Sequence, residues 1–198
     1  MPTKQQLHDF CDNVWTVDLD HLAERTGMRV LKERPAHPGT IDVTTLLVPG
    51  YKQTQAYTCG FVAGLMVLHA LYPKASAEAF YRRVRPDPKM GTSNKKLIQA
   101  LRQSGVSLSV VSSGLGFPEI QRNIDAGFPI LTILKTNSDN EAHWVVIYGY
   151  GIKTGKASNR IFVAGNGLPF FNQPAIPWSQ FRQMQSRMGF GLVCWGRK

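Results

Sequence analysis

Residues 59–72 read Cys59-Gly60-Phe61-Val62-Ala63-Gly64-Leu65-Met66-Val67-Leu68-His69-Ala70-Leu71-Tyr72, and Pro73 follows. This run is apolar nearly all round, so a helix made from it must be buried on most of its sides. Pro73 stops it, because proline cannot continue the hydrogen-bond ladder. Gly60 and Gly64 lower its intrinsic propensity, and close packing has to compensate.

Working outward, three more helices follow. Ser76 reads as the cap of a helix to about Val84. Ser93 caps another over Lys95 to Gln103, closed by Gly105, and Pro118 sits in the first turn of one ending at Gly127. After that the pattern changes. Ile130 to Leu134, His143 to Tyr150, Ile161 to Val163 and Leu192 to Trp195 are short, rich in β-branched and aromatic residues, and bounded by Gly, Asn and Pro. Those are the marks of strands. One helix, about Ser179 to Met188, interrupts them. Upstream, residues 1–45 read as one or two short helices and then a loop. Asp18 or Asp20 caps a helix to Arg25 that stops near Gly27, and Pro35, Pro38 and Gly39 mark the loop. Segregated helices and strands predict an α+β fold: a helical part carrying the 59–72 helix, packed on an antiparallel sheet. The expected division is an N-terminal extension over 1–45 and a main domain over 46–198, with the extension read as part of the same domain.

The whole chain has 198 residues, 43% apolar and 18% charged, which suits one soluble domain with a proper core. It has no run of 18 uncharged apolar residues, so no membrane span is expected. Its start lacks the apolar stretch of a secretory signal. Three cysteines (Cys11, Cys59 and Cys194) do not make a disulfide framework, and a reducing, cytoplasmic compartment is expected, with signal-independent export left open. No Cys-x-x-Cys pair or His/Cys cluster has zinc spacing, so neither metal nor cofactor is expected.

The formal net charge is +10, unevenly spread. Residues 74–102 carry eight basic and two acidic side chains, including Arg82, Arg83, Arg85, Lys89, Lys95 and Lys96. Such a stretch is either a solvated helical face or a docking patch for an acidic partner. It carries no aromatic stacking motif, so nucleic acid is not the expected partner.

Cys59 stands where a polar loop becomes the buried helix. A helix N-terminus offers free N–H groups and partial positive charge, which favour a thiolate and predict a lowered pKa. The competing reading is a plain packed cysteine. Cys11 lies amid helical spacing and Cys194 inside a strand, and both read as structural. A thiolate needs a proton carrier. His8 and His21 sit on short polar helices and His37 in a Pro-rich loop. His69 lies ten residues along the same helix, about 15 Å away by the helical rise, and reads as a satisfied core histidine. His143 opens the strand His143-Trp144-Val145-Val146-Ile147-Tyr148-Gly149-Tyr150, where a base is rigid yet open to a cleft. Asn166, in Gly165-Asn166-Gly167, is either an ordinary turn residue or the group that accepts the Nδ1–H of His143. Asp139 and Glu141, in the loop before His143, read as solvated. For the oxyanion, the N–H of Cys59 is one donor, and the side chain of Gln53 or of Gln55 is a second.

The order Gln–Cys–His–Asn resembles the papain-like cysteine peptidases. The strings are similar to the bacteriocin-processing (double-glycine leader) peptidases and their stand-alone relatives. The similar strings are Gln53-Thr54-Gln55-Ala56-Tyr57-Thr58-Cys59-Gly60 with the Met/Leu-rich helix behind it, Leu97 to Val111, Gly127-Phe128-Pro129-Ile130, the His143 string, and Ile176-Pro177-Trp178-Ser179-Gln180-Phe181. Together they span about residues 46–195, and strings in this order are fairly specific. The resemblance implies a papain-like fold, a thiol nucleophile, acyl transfer on a peptide or amide bond, and Gln53 as the oxyanion residue. One position departs: that family usually has Asp, often Asp-Pro, where this chain has Asn166-Gly167. The accompanying transporter domains are absent, so leader cleavage coupled to export is not expected. Three readings follow: a Cys–His–Asn peptidase or amidase, a transferase or deamidase on the same scaffold, or an inactive module that binds a peptide or an acidic partner.

Overall fold

The computed structural model describes residues 30–33, 41–51, 53, 55–112, 114–135, 142–153, 159–165, 175–185 and 190–197. Among the described residues, five helices and eight strands run in the order β1 (Val30–Glu33), β2 (Ile41–Leu46), α1 (Cys59–Leu71), α2 (Ala77–Val84), α3 (Asn94–Gln103), β3 (Val106–Val111), α4 (Phe117–Asp125), β4 (Ile130–Lys135), β5 (Ala142–Lys153), β6 (Arg160–Ala164), β7 (Ala175–Pro177), α5 (Trp178–Met184) and β8 (Gly191–Gly196). A 3-10 turn, Ala56–Thr58, leads directly into α1.

The expected caps are in place. The hydroxyl of Ser76 accepts the N–H of Ala79, and that of Ser93 accepts the N–H of Lys96. Pro118 sits in the first turn of α4. Gly105 and Gly127 close α3 and α4 at φ +89° and +82°, conformations that glycine adopts without a Cβ clash.

The strands form one sheet in the order β1-β2-β5-β4-β8-β3, with β6 also paired to β5 and β7 to β6, every pair antiparallel. β5 is its spine. The pairing of β5 with β6 shifts register between Ile147 and Gly149. Gly149 is required where β2 passes, since a Cβ there would lie 2.7 Å from the carbonyl oxygen of Thr44.

The period-2 alternation of the strands divides the core. Leu131, Trp144, Val146, Leu192 and Cys194 pack with α1, α2 and α3. Ile130, Leu134, Val145, Ile147 and Val193 pack with α4 and α5. Helices therefore cover both faces, which is why Trp144–Ile147 is continuously apolar rather than alternating and Ile130–Leu134 is broken only by the buried Thr132. α1 is buried as its composition demands, with Phe61, Leu65, Met66, Val67 and Leu68 all at 2% exposure or less. Gly64 lets α2 and α3 close on it: a Cβ would sit 2.7 Å from Leu97 and 3.0 Å from Phe80.

The α+β class is the one expected, but the reading of residues 1–45 needs correction. Val30–Glu33 and Ile41–Leu46 are strands, not helix or loop. β2 pairs with β1 over Val43–Leu46 and with β5 over Ile41–Thr45, and Thr44 and Leu46 are buried. Such short segments carry too few residues for periodicity to distinguish them from loop. β3, Val106–Val111, also interrupts the helical block. The last helix, expected to reach about Met188, ends at Met184, because Gln185 turns extended and bridges Leu134 of β4. The helix expected near Asp18 to Arg25 and the loop at Pro35–Gly39 lie outside the described residues.

Candidate active site

Cys59 is the first residue of α1, delivered by the 3-10 turn. That turn is built by its own polar groups. The N–H and hydroxyl of Thr58 both donate to the carbonyl of Gln55, at 3.0 and 2.8 Å. The amide nitrogen of Gln53 donates to the carbonyls of Gln55 and Ala56, at 2.7 and 2.8 Å. Gln53 thus braces the loop that presents the cysteine, and both hydrogens of its amide are engaged there.

The helix start approaches β5 where the sequence has glycine. A Cβ on Gly60 would lie 2.6 Å from the Cβ of Thr92 and 2.9 Å from Cδ1 of Trp144. Only hydrogen fits, which explains the Cys-Gly pair physically. Trp144 is pinned in turn: its indole N–H donates to the carbonyl of Thr92 at 3.3 Å, and its ring packs edge-on to Phe190.

The result is an electrostatic arrangement around one sulfur. The backbone N–H groups of Trp144, of Gly60 and of Cys59 itself favour the thiolate. Burial of the half-buried side chain acts the other way and is the larger effect, so the thiol sits above its ordinary pKa. This corrects the expectation of a lowered pKa. A helix N-terminus alone does not make this cysteine a thiolate, because desolvation of the charged form outweighs three N–H groups.

His143 is the residue before Trp144, half-buried near the start of β5 and paired across the sheet with Leu134. The strand that touches the sulfur therefore carries the imidazole one residue away. Asn166, Asp139 and Glu141 lie outside the described residues. Gly165, immediately before Asn166, packs hard on β5, where a Cβ would lie 2.7 Å from Cγ1 of Val145.

The competing groups separate clearly. His69 lies on α1 with its Nδ1 accepting from the hydroxyl of Tyr51 and its Nε2 bonded to the carbonyl of Ala75 at 2.9 Å. It is a satisfied core histidine, and burial holds its pKa below the usual range. Cys194 is fully buried in β8, and burial pushes its thiol far up. His8, His21, His37 and Cys11 lie outside the described residues. Sequence reasoning missed Thr92, whose methyl and carbonyl hold Gly60 and Trp144 together. No local pattern marks it, since its partners are 32 and 52 residues away.

The model of the Peptidase_C39 like family matches residues 45–167. This chain belongs to that family. Its fold is similar to the peptidase domain of Streptococcus ComA, a bi-functional ABC transporter involved in a quorum sensing pathway. The two are 14% identical with a TM-score of 0.55, over 74% of this chain and 96% of that one. It is similar also to a double glycine motif protease from an AMS/PCAT transporter, solved in complex with the leader peptide. Identity there is 17% and TM-score 0.52, over 84% of this chain and 99% of that one. No curated protein matches the sequence. As a member of the C39-like family, the chain is a cysteine peptidase-like hydrolase with the papain-like fold. Among the described residues no helix is long and apolar enough to cross a membrane.

Proposed function

We propose that the protein hydrolyses peptide bonds with Cys59 as nucleophile, His143 as general base and acid, Asn166 as the group that orients His143, and Gln53 as an oxyanion donor. The observation that carries this is the meeting of the Cys59 sulfur with the N–H of Trp144, the residue beside His143.

The chemistry follows from the thiol's environment. Burial keeps the sulfur protonated on its own, so His143 must take the proton as the sulfur attacks. A C–S bond forms, the carbonyl π electrons move to oxygen, and the N–H of Cys59 donates to that oxyanion. The side chain of Gln53 joins when the oxyanion competes for its amide with the carbonyls of Gln55 and Ala56. His143 then returns its proton to the leaving amine as the C–N bond breaks. Water, giving its proton to His143, then forms a C–O bond to the thioester carbon; the C–S bond breaks, His143 returns the proton to the sulfur, and the carboxylic acid leaves. The approach of Gly165 to β5 supports Asn166 as the orienting group, because the chain enters residue 166 from beside Val145. Asparagine orients an imidazole without adding charge, so imidazolium formation rests on the thiolate itself. A peptide substrate is in keeping with the leader peptide bound by the AMS/PCAT protease.

The test is cleavage of an unbiased peptide pool by wild type, Cys59→Ala and His143→Ala, with products read by mass. Cleavage by wild type alone, each product pair heavier by one water, is the expected result. Activity in Cys59→Ala overturns the nucleophile. Products heavier by an amine instead of water assign acyl transfer.

A further inference from the structure

The basic segment is not spread evenly over the surface; part of it forms a rim beside the candidate nucleophile. Between α2 and α3 the chain makes a tight hairpin, Asp87 to Gly91, in which each end donates its N–H to the other's carbonyl at 2.8 Å. The carboxylate of Asp87 accepts the N–H groups of Lys89 and Met90, at 2.8 and 2.9 Å, and so spends itself inside the turn. Those two bonds hold its pKa below the usual carboxylate range. What the hairpin presents outward is Lys89 and Met90, the latter 86% exposed and the most exposed large apolar side chain among the described residues. Lys95 and Lys96 follow on the exposed first turn of α3, and Arg85 precedes the hairpin. Glu78, the other acid of this segment, is bonded to Arg82.

The hairpin is anchored to the site. Gly91 lies against the backbone of Tyr57, two residues before Cys59: a Cβ there would be 3.7 Å from its carbonyl oxygen. The next residue, Thr92, is the one that holds Gly60 and Trp144. A cationic loop with an apolar tip therefore stands one residue from Thr92, which packs on the start of the Cys59 helix.

We propose that this rim, formed by Lys89, Met90 and Lys95, docks an acidic segment of the peptide substrate that also carries an apolar side chain. The inference rests on the peptidase reading and names its substrate class. Lysines at a cleft edge attract an acidic chain over about a Debye length, ~8 Å at physiological salt. Met90 supplies adaptable apolar contact to a side chain between the acids.

Binding is measured on Cys59→Ala protein, so that no turnover is needed. The probes are fluorescein-labelled peptides of alternating Glu and Leu, and matched peptides of Gln and Leu. The acidic peptide is expected to bind at least tenfold tighter at low salt, and to lose that advantage in Lys89→Glu/Lys95→Glu. Arg102→Glu, at the far end of α3 about 10 Å along the axis, leaves binding unchanged. In the protein with Cys59 intact, the acidic peptide slows iodoacetamide modification of Cys59, and the doubly reversed variant loses that protection. Equal binding of both peptides overturns the proposal. Acidic binding that leaves Cys59 unprotected also overturns it, since the rim would then serve a partner away from the cleft. Failure of cleavage in the peptide-pool test, with docking and protection intact, overturns the peptidase reading alone.

Discussion

Gly60 and Trp144 are packed so closely that a methyl group on Gly60 would lie 2.9 Å from the indole Cδ1. This contact brings the start of α1 against β5 and sets the distance from the Cys59 sulfur to the strand that carries His143. Gly60→Ala gains up to ~1 kcal/mol of helix propensity. It also forces Thr92 or Trp144 to move, an overpacking cost of about 1–3 kcal/mol. The expected outcome is a lowered urea midpoint with a larger loss of kcat than of stability, about tenfold or more. Denaturation and peptide turnover on the same preparation check it.

Burial raises the Cys59 thiol, so its reactivity at neutral pH depends on His143. In wild type, iodoacetamide is expected to modify Cys59 with an inflection above the free-thiol value of ~8.5, the direction that burial sets. In His143→Ala the desolvation remains, so the inflection stays above ~8.5 while peptide turnover is lost, because His143 takes the proton only as the sulfur attacks. Cys194, fully buried in β8, stays unmodified in both native proteins. Peptide mapping after a pH series of alkylations reads all three outcomes. A wild-type inflection below ~8.5 that is lost with His143 would show a preformed ion pair and overturn proton transfer in step with attack.

Gln53 braces the loop through the carbonyls of Gln55 and Ala56. Gln53→Ala is expected to lower kcat by about 10²-fold if its amide also serves the oxyanion, the magnitude typical of one such donor. Gln53→Glu cannot donate to either carbonyl or to an oxyanion, and should be no better. A loss of thermal stability without a loss of kcat per folded molecule would assign Gln53 to the loop alone.

His69 supplies a pH dependence of stability that is independent of catalysis. Its folded pKa lies below its unfolded value near 6.5, because burial disfavours the cation. Below that pH the unfolded chain binds the extra proton and the folded chain does not. Stability is therefore full above about pH 6.5 and falls as the solution is acidified. The expected result is a Tm that drops between pH 7 and pH 5 with a slope reduced in His69→Gln. Tyr51→Phe removes the donor to Nδ1 and should cost about 1–2 kcal/mol at pH 7.

What the sequence determined by itself is local or periodic. The uniformly apolar run from Cys59 reads as a buried helix, Ser76 and Ser93 cap their helices, and the His143 string reads as a strand. Each of those follows from residues within one or two turns of each other, and Cys59 and His143 stood out for the same reason. The tertiary structure decided the rest. β2 is a strand because β5 offers it partners more than 100 residues away, and β1 is one because β2 then offers it an edge. Gly60 is needed because of Thr92 and Trp144, and the Asp87–Gly91 hairpin becomes a rim only because Gly91 rests against Tyr57. The direction of the Cys59 pKa was also beyond local reading. The helix start that favours the thiolate is written next to the cysteine, whereas the desolvation that overrides it is the sum of everything that packs around the sulfur, and that sum exists only once the chain has folded.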